Sequence, residues 1–188
     1  MPEALKSRLD RRAWLAGALE LLRERGIEGV KVEPLAAGLG VTKGSFYWHF
    51  TDRQDLVNSL PQFWAENQTG PVMARAAAVE GGPLDRLRAV AEYLGSEDPD
   101  RYDNTMRAWA QFDSDVAQTV REIDRRRLAF AEELFEAAGL TSKEAAIRAR
   151  LFYFFDVGSQ ITGDVPGSLQ ERRRRSIRRV ELLTADIV

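Results

Sequence analysis

The sequence predicts an all-α protein. Alanine, leucine, glutamate and arginine, which all favour helices, dominate the chain. Alternation of apolar and polar residues, the pattern of a half-buried strand, is hard to find, and no Asn-Gly or Asp-Gly pair marks a tight hairpin. With 188 residues, of which 44% are hydrophobic, the chain is long enough to bury a core. We expect short helices in residues 1–52 and a bundle of longer helices in residues 53–188.

Three short helices are predicted in the N-terminal part. The first covers residues 7–25 and ends at Gly26, because glycine tolerates the left-handed backbone of a helix end. The second covers residues 33–39 and has Pro34 in its first turn, where the missing N–H costs little. The third runs from an N-cap at Thr42 to about residue 49. The apolar stripe of the first helix, at spacings of three and four, is predicted to be Leu9, Ala13, Ala16, Leu19 and Leu22.

Longer helices are predicted in the rest of the chain. Thr51 or Asp52 caps the first of them, which carries Leu56, Val57 and Leu60. Glycine and proline at positions 70–71, 81–83 and 95–99 are expected to break the helical pattern. The predicted helices then cover residues 71–80, 83–94, 101–112, 115–138, 142–162 and 168–184.

Composition excludes several classes of protein. The chain has no cysteine, so disulfide scaffolds and thiol catalysis are excluded, and its only histidine is His49. We therefore expect no metal site and no cofactor. No segment approaches the roughly twenty apolar residues of a membrane-spanning helix, and the first residues lack a secretory signal pattern, so a cytoplasmic protein without a membrane partner is expected. The formal net charge of −2 does not by itself indicate nucleic-acid binding.

The segment of residues 35–50 has the pattern of a helix-turn-helix. Small Ala36 allows a second helix to approach, and Gly40 permits a sharp turn four residues later. Apolar residues on both sides of the turn can fill the wedge between the two helices. The second helix of such a motif places its first residues in the major groove of DNA. The apolar residues of the wedge are Leu35, Leu39, Val41 and Phe46.

The side chains of the second helix suit DNA contact. Thr42, Lys43 and Ser45 can read bases, and Gly44 lets the backbone approach. Tyr47 and His49 can donate hydrogen bonds to phosphates, and Trp48 offers a flat surface to a sugar or a thymine methyl group. The alternative is that these aromatic residues are core. We expect burial for Phe46 and Phe50, but consecutive helical positions point in different directions, so Tyr47, Trp48 and His49 cannot all be buried.

These residues resemble the N-terminal domain of the tetracycline-repressor (TetR) family of bacterial regulators. The run Gly-x-x-Tyr-x-His-Phe from Gly44 to Phe50 is much rarer than a general helix-turn-helix. The resemblance covers about the first third of the chain. Two positions depart from the family: Lys31 stands where a threonine usually caps the second helix and touches phosphate, and Arg53 replaces a lysine that lies near the DNA backbone. The remaining matched residues are Ala18, Leu21, Leu22, Gly26, Leu35, Ala36, Gly40, Val41, Lys43 and Leu56.

The resemblance implies a homodimeric repressor that binds a palindromic DNA operator. It implies that a small molecule enters the C-terminal bundle and releases the DNA. It also implies that Lys31 and Arg53 are further contacts to phosphate, and that the DNA backbone lies near Arg8, Arg11 and Arg12. The C-terminal part is rich in bulky apolar residues, which are either core or the lining of a ligand pocket. The ligand-binding residues are predicted to be Phe63, Trp64, Tyr93, Met106, Trp109, Phe112, Phe152 and Phe155.

The last two helices are predicted to form the dimer interface, with a purely intramolecular bundle as the alternative. Six arginines in residues 172–179 are expected to form a solvated helix face paired with acidic residues, and a nucleic-acid patch is the alternative. A helical small-molecule-binding protein or enzyme remains the alternative function, although no catalytic motif supports an enzyme. The interface residues are predicted to be Ala145, Ala149, Phe152, Ser159, Ile177, Val180 and Thr184.

Overall fold

The computed structural model describes residues 9–96, 102–164 and 167–187. Within these ranges the chain forms helices and no strand, which confirms the predicted all-α fold. The chain divides into two compact units, Met1–Trp64 and Ala65–Val188. No helix in the described ranges has both the length and the apolar composition for crossing a bilayer. The helices are α1 (Arg11–Gly29), α2 (Val32–Gly38), α3 (Lys43–Phe46), α4 (Arg53–Ala77), α5 (Pro83–Ser96), α6 (Asp103–Trp109), α7 (Ser114–Ala137), α8 (Ser142–Thr162) and α9 (Leu169–Leu183).

Helix α1 begins later than predicted. The carboxylate of Asp10 accepts a hydrogen bond of 2.8 Å from the backbone N–H of Ala13 and so caps the helix. Gly26 has φ 66°, the left-handed conformation predicted for it. The predicted stripe was partly wrong: Ala16 is exposed, Leu9 and Ala13 are only half-buried, and Leu19 and Leu22 are buried as predicted. The buried residues of α1 are Trp14, Leu15, Ala18, Leu19 and Leu22.

Helix α4 runs through the predicted break at residues 70–71. An internal proline removes one backbone hydrogen bond and usually kinks or breaks a helix. Here the residues after Pro71 pack on the core of the second unit: Ala76 is buried in it and Val72 packs against it. Burial of these residues offsets the lost bond, and α4 continues to Ala77.

The boundaries of the last three helices confirm the prediction within two residues. The side chains of Asp113, Thr141 and Ser168 accept hydrogen bonds from backbone N–H groups in the first turns of α7, α8 and α9. Gly139 follows α7 with φ 101°, which only glycine adopts easily. Residues 97–99 of the predicted break at 95–99, the first predicted residue of the 101–112 helix and Arg8 lie outside the described residues.

The core of the second unit contains residues from α4, α5, α7, α8 and α9. Helices α5 and α9 cross closely at Gly95, where an added Cβ would lie 2.6 Å from the Cα of Arg173. The arginine run of α9 is paired with acidic residues as predicted: Arg173 with Glu92, Arg174 with Glu171, and Arg178 with Glu181. The central members of the core are Leu87, Ala91, Phe135, Ala145, Ala149 and Phe152.

Candidate functional site: an exposed helix-turn-helix surface and a cavity

The turn between α2 and α3 has the hydrogen bonds of a Schellman motif. The N–H of Val41 donates to the carbonyl of Ala36 at 3.0 Å, and the N–H of Gly40 donates to the carbonyl of Ala37 at 3.1 Å. Gly40 has φ 68°, the conformation that this motif requires at its position. Leu35 and Ala36 are buried beneath the turn. The turn therefore orients α3 through local sequence chemistry.

A cluster of aromatic rings holds α3 against α1. The rings of Trp14 and Phe46 meet edge to face at 5.4 Å, and those of Phe46 and Phe50 stack at 5.2 Å. Phe46 is 0% and Phe50 is 2% exposed, which confirms their predicted burial. Because Phe46 anchors the inner side of α3, the opposite side faces solvent.

Most of the residues in and beside α3 that were predicted to contact DNA are exposed. Thr42, Lys43 and Gly44 are exposed and Ser45 is half-buried. Tyr47 is 56% and Trp48 is 78% exposed. The hydroxyl of Ser45 donates to the carbonyl of Thr42 at 2.8 Å, while Thr42 makes no side-chain capping bond. We call residues 42–48, apart from buried Phe46, the α3 surface.

Lys43 of the α3 surface is paired with an acidic residue of α2. Its ammonium group donates a hydrogen bond to the carboxylate of Glu33. This hydrogen bond lowers the pKa of Glu33 and raises the pKa of Lys43 from their ordinary values. Both side chains are exposed, so solvent screens the attraction between them and another partner can replace either one. A phosphate approaching Lys43 would compete with Glu33.

The two positions that depart from the family pattern differ in their surroundings. Lys31 precedes α2, is exposed and makes no side-chain capping bond. The guanidinium of Arg53 donates to the backbone carbonyls of Ile27 and Val30, both at 2.5 Å. These bonds join the start of α4 to the end of α1, where Ile27 lies in the last turn and Val30 follows it. The contact of Arg53 with the DNA backbone stays a prediction. His49 is half-buried.

The arginines at the start of α1 are also used within the first unit. Arg11 donates to the hydroxyl of Ser59 at 2.7 Å, and its guanidinium lies 4.6 Å from the ring centre of Phe50. The guanidinium of Arg12 lies 5.5 Å from the ring centre of Phe63. These contacts join α1 to α4 and to the segment that follows α3.

The second unit contains a partly open cavity. Residues of α4, α5, α6, α7 and α8 form its wall. The apolar part of the wall consists of Val72, Met73, Leu87, Val90, Leu94, Phe130, Ala131, Leu134, Phe152 and Val157. The polar part consists of Thr69, Asp103, Arg127, Tyr153, Asp156 and Gln160.

Two arginine–aspartate pairs connect the short helix α6 with α7 beside this cavity. Asp103, which is 3% exposed, pairs with Arg127. Arg107 donates to both carboxylate oxygens of Asp124, at 2.9 and 2.7 Å, and Tyr153 donates to the same carboxylate at 2.6 Å. Burial alone would raise the pKa of Asp124, but these hydrogen bonds outweigh it and hold the pKa below its ordinary value.

The residues predicted to bind a ligand are not brought together. Phe152 lines the cavity, whereas Phe63 and Trp64 belong to the first unit. Phe112 is 93% exposed and Phe155 is 50% exposed on a groove between α8 and α9. The other three predicted residues are not part of the cavity wall described above. Tyr93 stacks on Arg75, Met106 is buried, and Trp109 is half-buried.

Sequence reasoning missed most of the cavity because it considered aromatic residues. The wall of α5 consists of Leu87, Val90 and Leu94, which recur at spacings of three and four. This apolar stripe is visible in the sequence, but a stripe does not distinguish a cavity wall from ordinary core.

The predicted dimer interface requires a correction. Ala145, Ala149, Phe152 and Val180 are at most 4% exposed and belong to the core of their own unit. A side chain that is already buried inside its unit is not available to a second copy. Ser159, Ile177 and Thr184 are half-buried. The apolar residues that α8 exposes are instead Ile147, Leu151, Phe154, Phe155 and Ile161.

Comparison with known proteins places the helix-turn-helix in a family. Residues 15–60 match the sequence model of "Bacterial regulatory proteins, tetR family". Over 73 residues the chain is 32% identical to the HTH-type transcriptional regulator AcrR of Shigella flexneri, a match that covers 39% of this chain and 34% of AcrR. The chain thus matches only about a third of that relative's length.

Two further comparisons extend beyond the N-terminal part. Over 162 residues the chain is 28% identical to the HTH-type transcriptional repressor AcnR of Corynebacterium glutamicum, covering 84% of this chain and 71% of AcnR. The fold is similar to that of SCO4454, a TetR-family transcriptional regulator from Streptomyces coelicolor, with a TM-score of 0.75, 18% identity and coverage of 94% and 95% of the two chains. This likeness shows a shared all-helical fold.

Proposed function

We propose that this chain, a transcriptional regulator of the tetR family, represses transcription by binding a palindromic DNA operator as a dimer. A small molecule in the cavity of the second unit then controls its affinity for DNA. The observation that carries the proposal is the exposed α3 surface, with aromatic and basic side chains on the outer side of a helix whose inner side is buried. Such a regulator acts in the cytoplasm, where bacterial DNA is located. Residues 1–52 form the DNA-binding domain in this proposal, and residues 53–188 bind the ligand and the second copy.

The α3 surface has the chemistry that DNA contact requires. Lys43 supplies a charge for phosphate, and the phenol of Tyr47 supplies a hydrogen-bond donor. Thr42 and Ser45 supply hydroxyl groups, and the exposed ring of Trp48 can pack on a sugar or a thymine methyl group. Lys31, His49 and Arg53 are the remaining proposed contacts to phosphate, and Gly44 allows close approach of the backbone.

Substitution of Lys43 by alanine is expected to weaken operator binding about tenfold and to lower the slope of affinity against salt by about 1, because one phosphate contact is lost. Tyr47→Phe removes one hydrogen bond and is expected to weaken binding about threefold to tenfold. Fluorescence anisotropy with DNA from beside the gene, at several salt concentrations, measures both effects.

Glu33→Gln is the matched control, because it breaks the same ion pair and leaves Lys43 in place. Its affinity for DNA is expected to stay the same or increase, since an acidic side chain near phosphate is removed. If Lys43→Ala and Glu33→Gln weaken binding equally, the ion pair rather than a DNA contact is responsible. Wild-type affinity in both Lys43→Ala and Tyr47→Phe would contradict the assignment of the α3 surface.

A second copy of the chain is proposed to cover the apolar face of α8. Ile147, Leu151, Phe154 and Ile161 recur at helical spacing and are 47–64% exposed. A contiguous exposed face of this kind is typical of an interface. The adjoining groove carries Arg174 and Arg178 together with Glu171 and Glu181, so one charge pattern can complement itself across a two-fold axis.

Leu151→Glu is expected to raise the dimer dissociation constant at least about tenfold, because it places a charge in an apolar contact. Sedimentation velocity over a range of concentrations measures the change. Phe112→Glu, an equally drastic change at an exposed apolar residue outside α8 and α9, should leave the assembly unchanged. A wild-type chain that sediments as a monomer at high concentration would overturn the proposed interface.

A further inference from the structure

The wall of the cavity favours hydrocarbon. Ten of its sixteen residues are apolar, and they come from α4, α5, α7 and α8. Leu87 is 0% and Ala131 is 5% exposed, so this apolar wall lies inside the unit. A ligand there gains affinity by removing apolar surface from water.

Each charged side chain of the wall is joined to an opposite charge. Asp103 pairs with Arg127. Asp156 accepts two hydrogen bonds of 2.6 Å from Arg179, whose guanidinium lies 4.9 Å from the ring centres of Phe152 and Phe155. A charged ligand would have to leave water and then break into one of these pairs, which leaves another buried charge uncompensated.

Uncharged hydrogen-bonding groups are also present in the wall. The hydroxyl of Thr69, which is 2% exposed, accepts a hydrogen bond of 3.2 Å from Arg127. A hydroxyl can donate while it accepts, so Thr69 can still serve a ligand oxygen. The phenol of Tyr153 is neutral at pH 7, and burial raises its pKa further. Its hydroxyl already donates to Asp124 and accepts from Arg107. The polar wall can thus orient one neutral group.

We infer that the cavity takes a small uncharged molecule, mostly hydrocarbon, with one hydrogen-bonding group. The inference rests on the proposed function only in treating the occupant as the effector of DNA binding. Because each charged side chain of the wall is paired, the inference excludes anions and cations of similar size as ligands.

Calorimetric titration of the full-length protein without DNA tests the inference with three probes that share one ring. Cyclohexylmethanol is neutral, and cyclohexanecarboxylate and cyclohexylmethylammonium are charged at pH 7. The alcohol is expected to bind at least tenfold more tightly than either ion. Equal or tighter binding of an ion, or no binding of the alcohol, would overturn the inference.

Two variants locate the site. Ala131→Leu fills the cavity from α7, and Val72→Met fills it from α4 with a half-buried side chain that is easier to accommodate. Both are expected to lose at least tenfold in affinity for the alcohol. Ala129→Leu, on the exposed side of α7, is the control and should bind as the wild type does. Wild-type affinity in a folded Val72→Met would place the alcohol elsewhere and overturn the inference.

Failure of the inference can be distinguished from failure of the proposed function. If the alcohol binds in the cavity but leaves operator affinity unchanged, the inference on ligand class stands and the proposed ligand control fails. If only an ion binds and it releases DNA, the ligand control stands and the inference on ligand class fails.

Discussion

Phe46→Ala is expected to lower the free energy of unfolding of the first unit by about 3–5 kcal/mol, the usual cost of removing a buried phenylalanine ring. The ring is 0% exposed and contacts both Trp14 and Phe50. Its loss leaves a cavity between α1 and α3, and the α3 surface then has no fixed orientation. Operator binding is therefore expected to be lost together with stability.

Urea unfolding followed by tryptophan fluorescence measures this change, and DNA affinity is measured on the same samples. Phe112→Ala is the matched control, because Phe112 is 93% exposed and its removal should cost little. A Phe46→Ala protein with wild-type stability would show that the aromatic cluster does not hold α3.

Asp103→Leu is expected to destabilise the second unit by about 3–5 kcal/mol, because it leaves the guanidinium of Arg127 buried without its carboxylate. The side chains of this pair are 4% and 13% exposed, so solvent screens the charges little. Asp164→Leu is the control: Asp164 lies 3.8 Å from Arg175 in an exposed pair, whose loss should change stability by less than about 1 kcal/mol.

A double-mutant cycle separates the ion pair from other effects. Adding Arg127→Met to Asp103→Leu removes the stranded charge, so the double variant is expected to be more stable than Asp103→Leu alone. Thermal unfolding measured by circular dichroism gives all the values of the cycle. Costs that add without coupling would show that the two residues contribute independently, contrary to the buried pair.

Helix ends and turns were largely predictable from sequence. Gly40 and Gly139 adopt the positive φ that their positions after helices indicate. Thr141 and Ser168 cap α8 and α9 as their side chains predict. These features depend on residues that are only a few positions apart in the chain, so the sequence alone indicates them.

The predicted break at Pro71 and the contacts of Arg53 illustrate what lies beyond such local reasoning. After the proline, Ala76 belongs to the core that α5, α7, α8 and α9 also form, and Val72 packs against it, so α4 stays helical. Arg53 donates to carbonyls 23 and 26 residues earlier in the chain. No local sequence pattern predicts either of these contacts.

The amino-acid sequence by itself determined that the chain is helical, where most helices end, and that residues 35–50 form a helix-turn-helix with Phe46 inward and Tyr47 outward. Only the tertiary structure decided which face of α8 is core, which apolar residues surround the cavity, and which charges are paired there. The physical reason is that capping, turn geometry and helical periodicity act between neighbours in sequence, whereas burial and ion pairing depend on helices that meet only after the chain has folded.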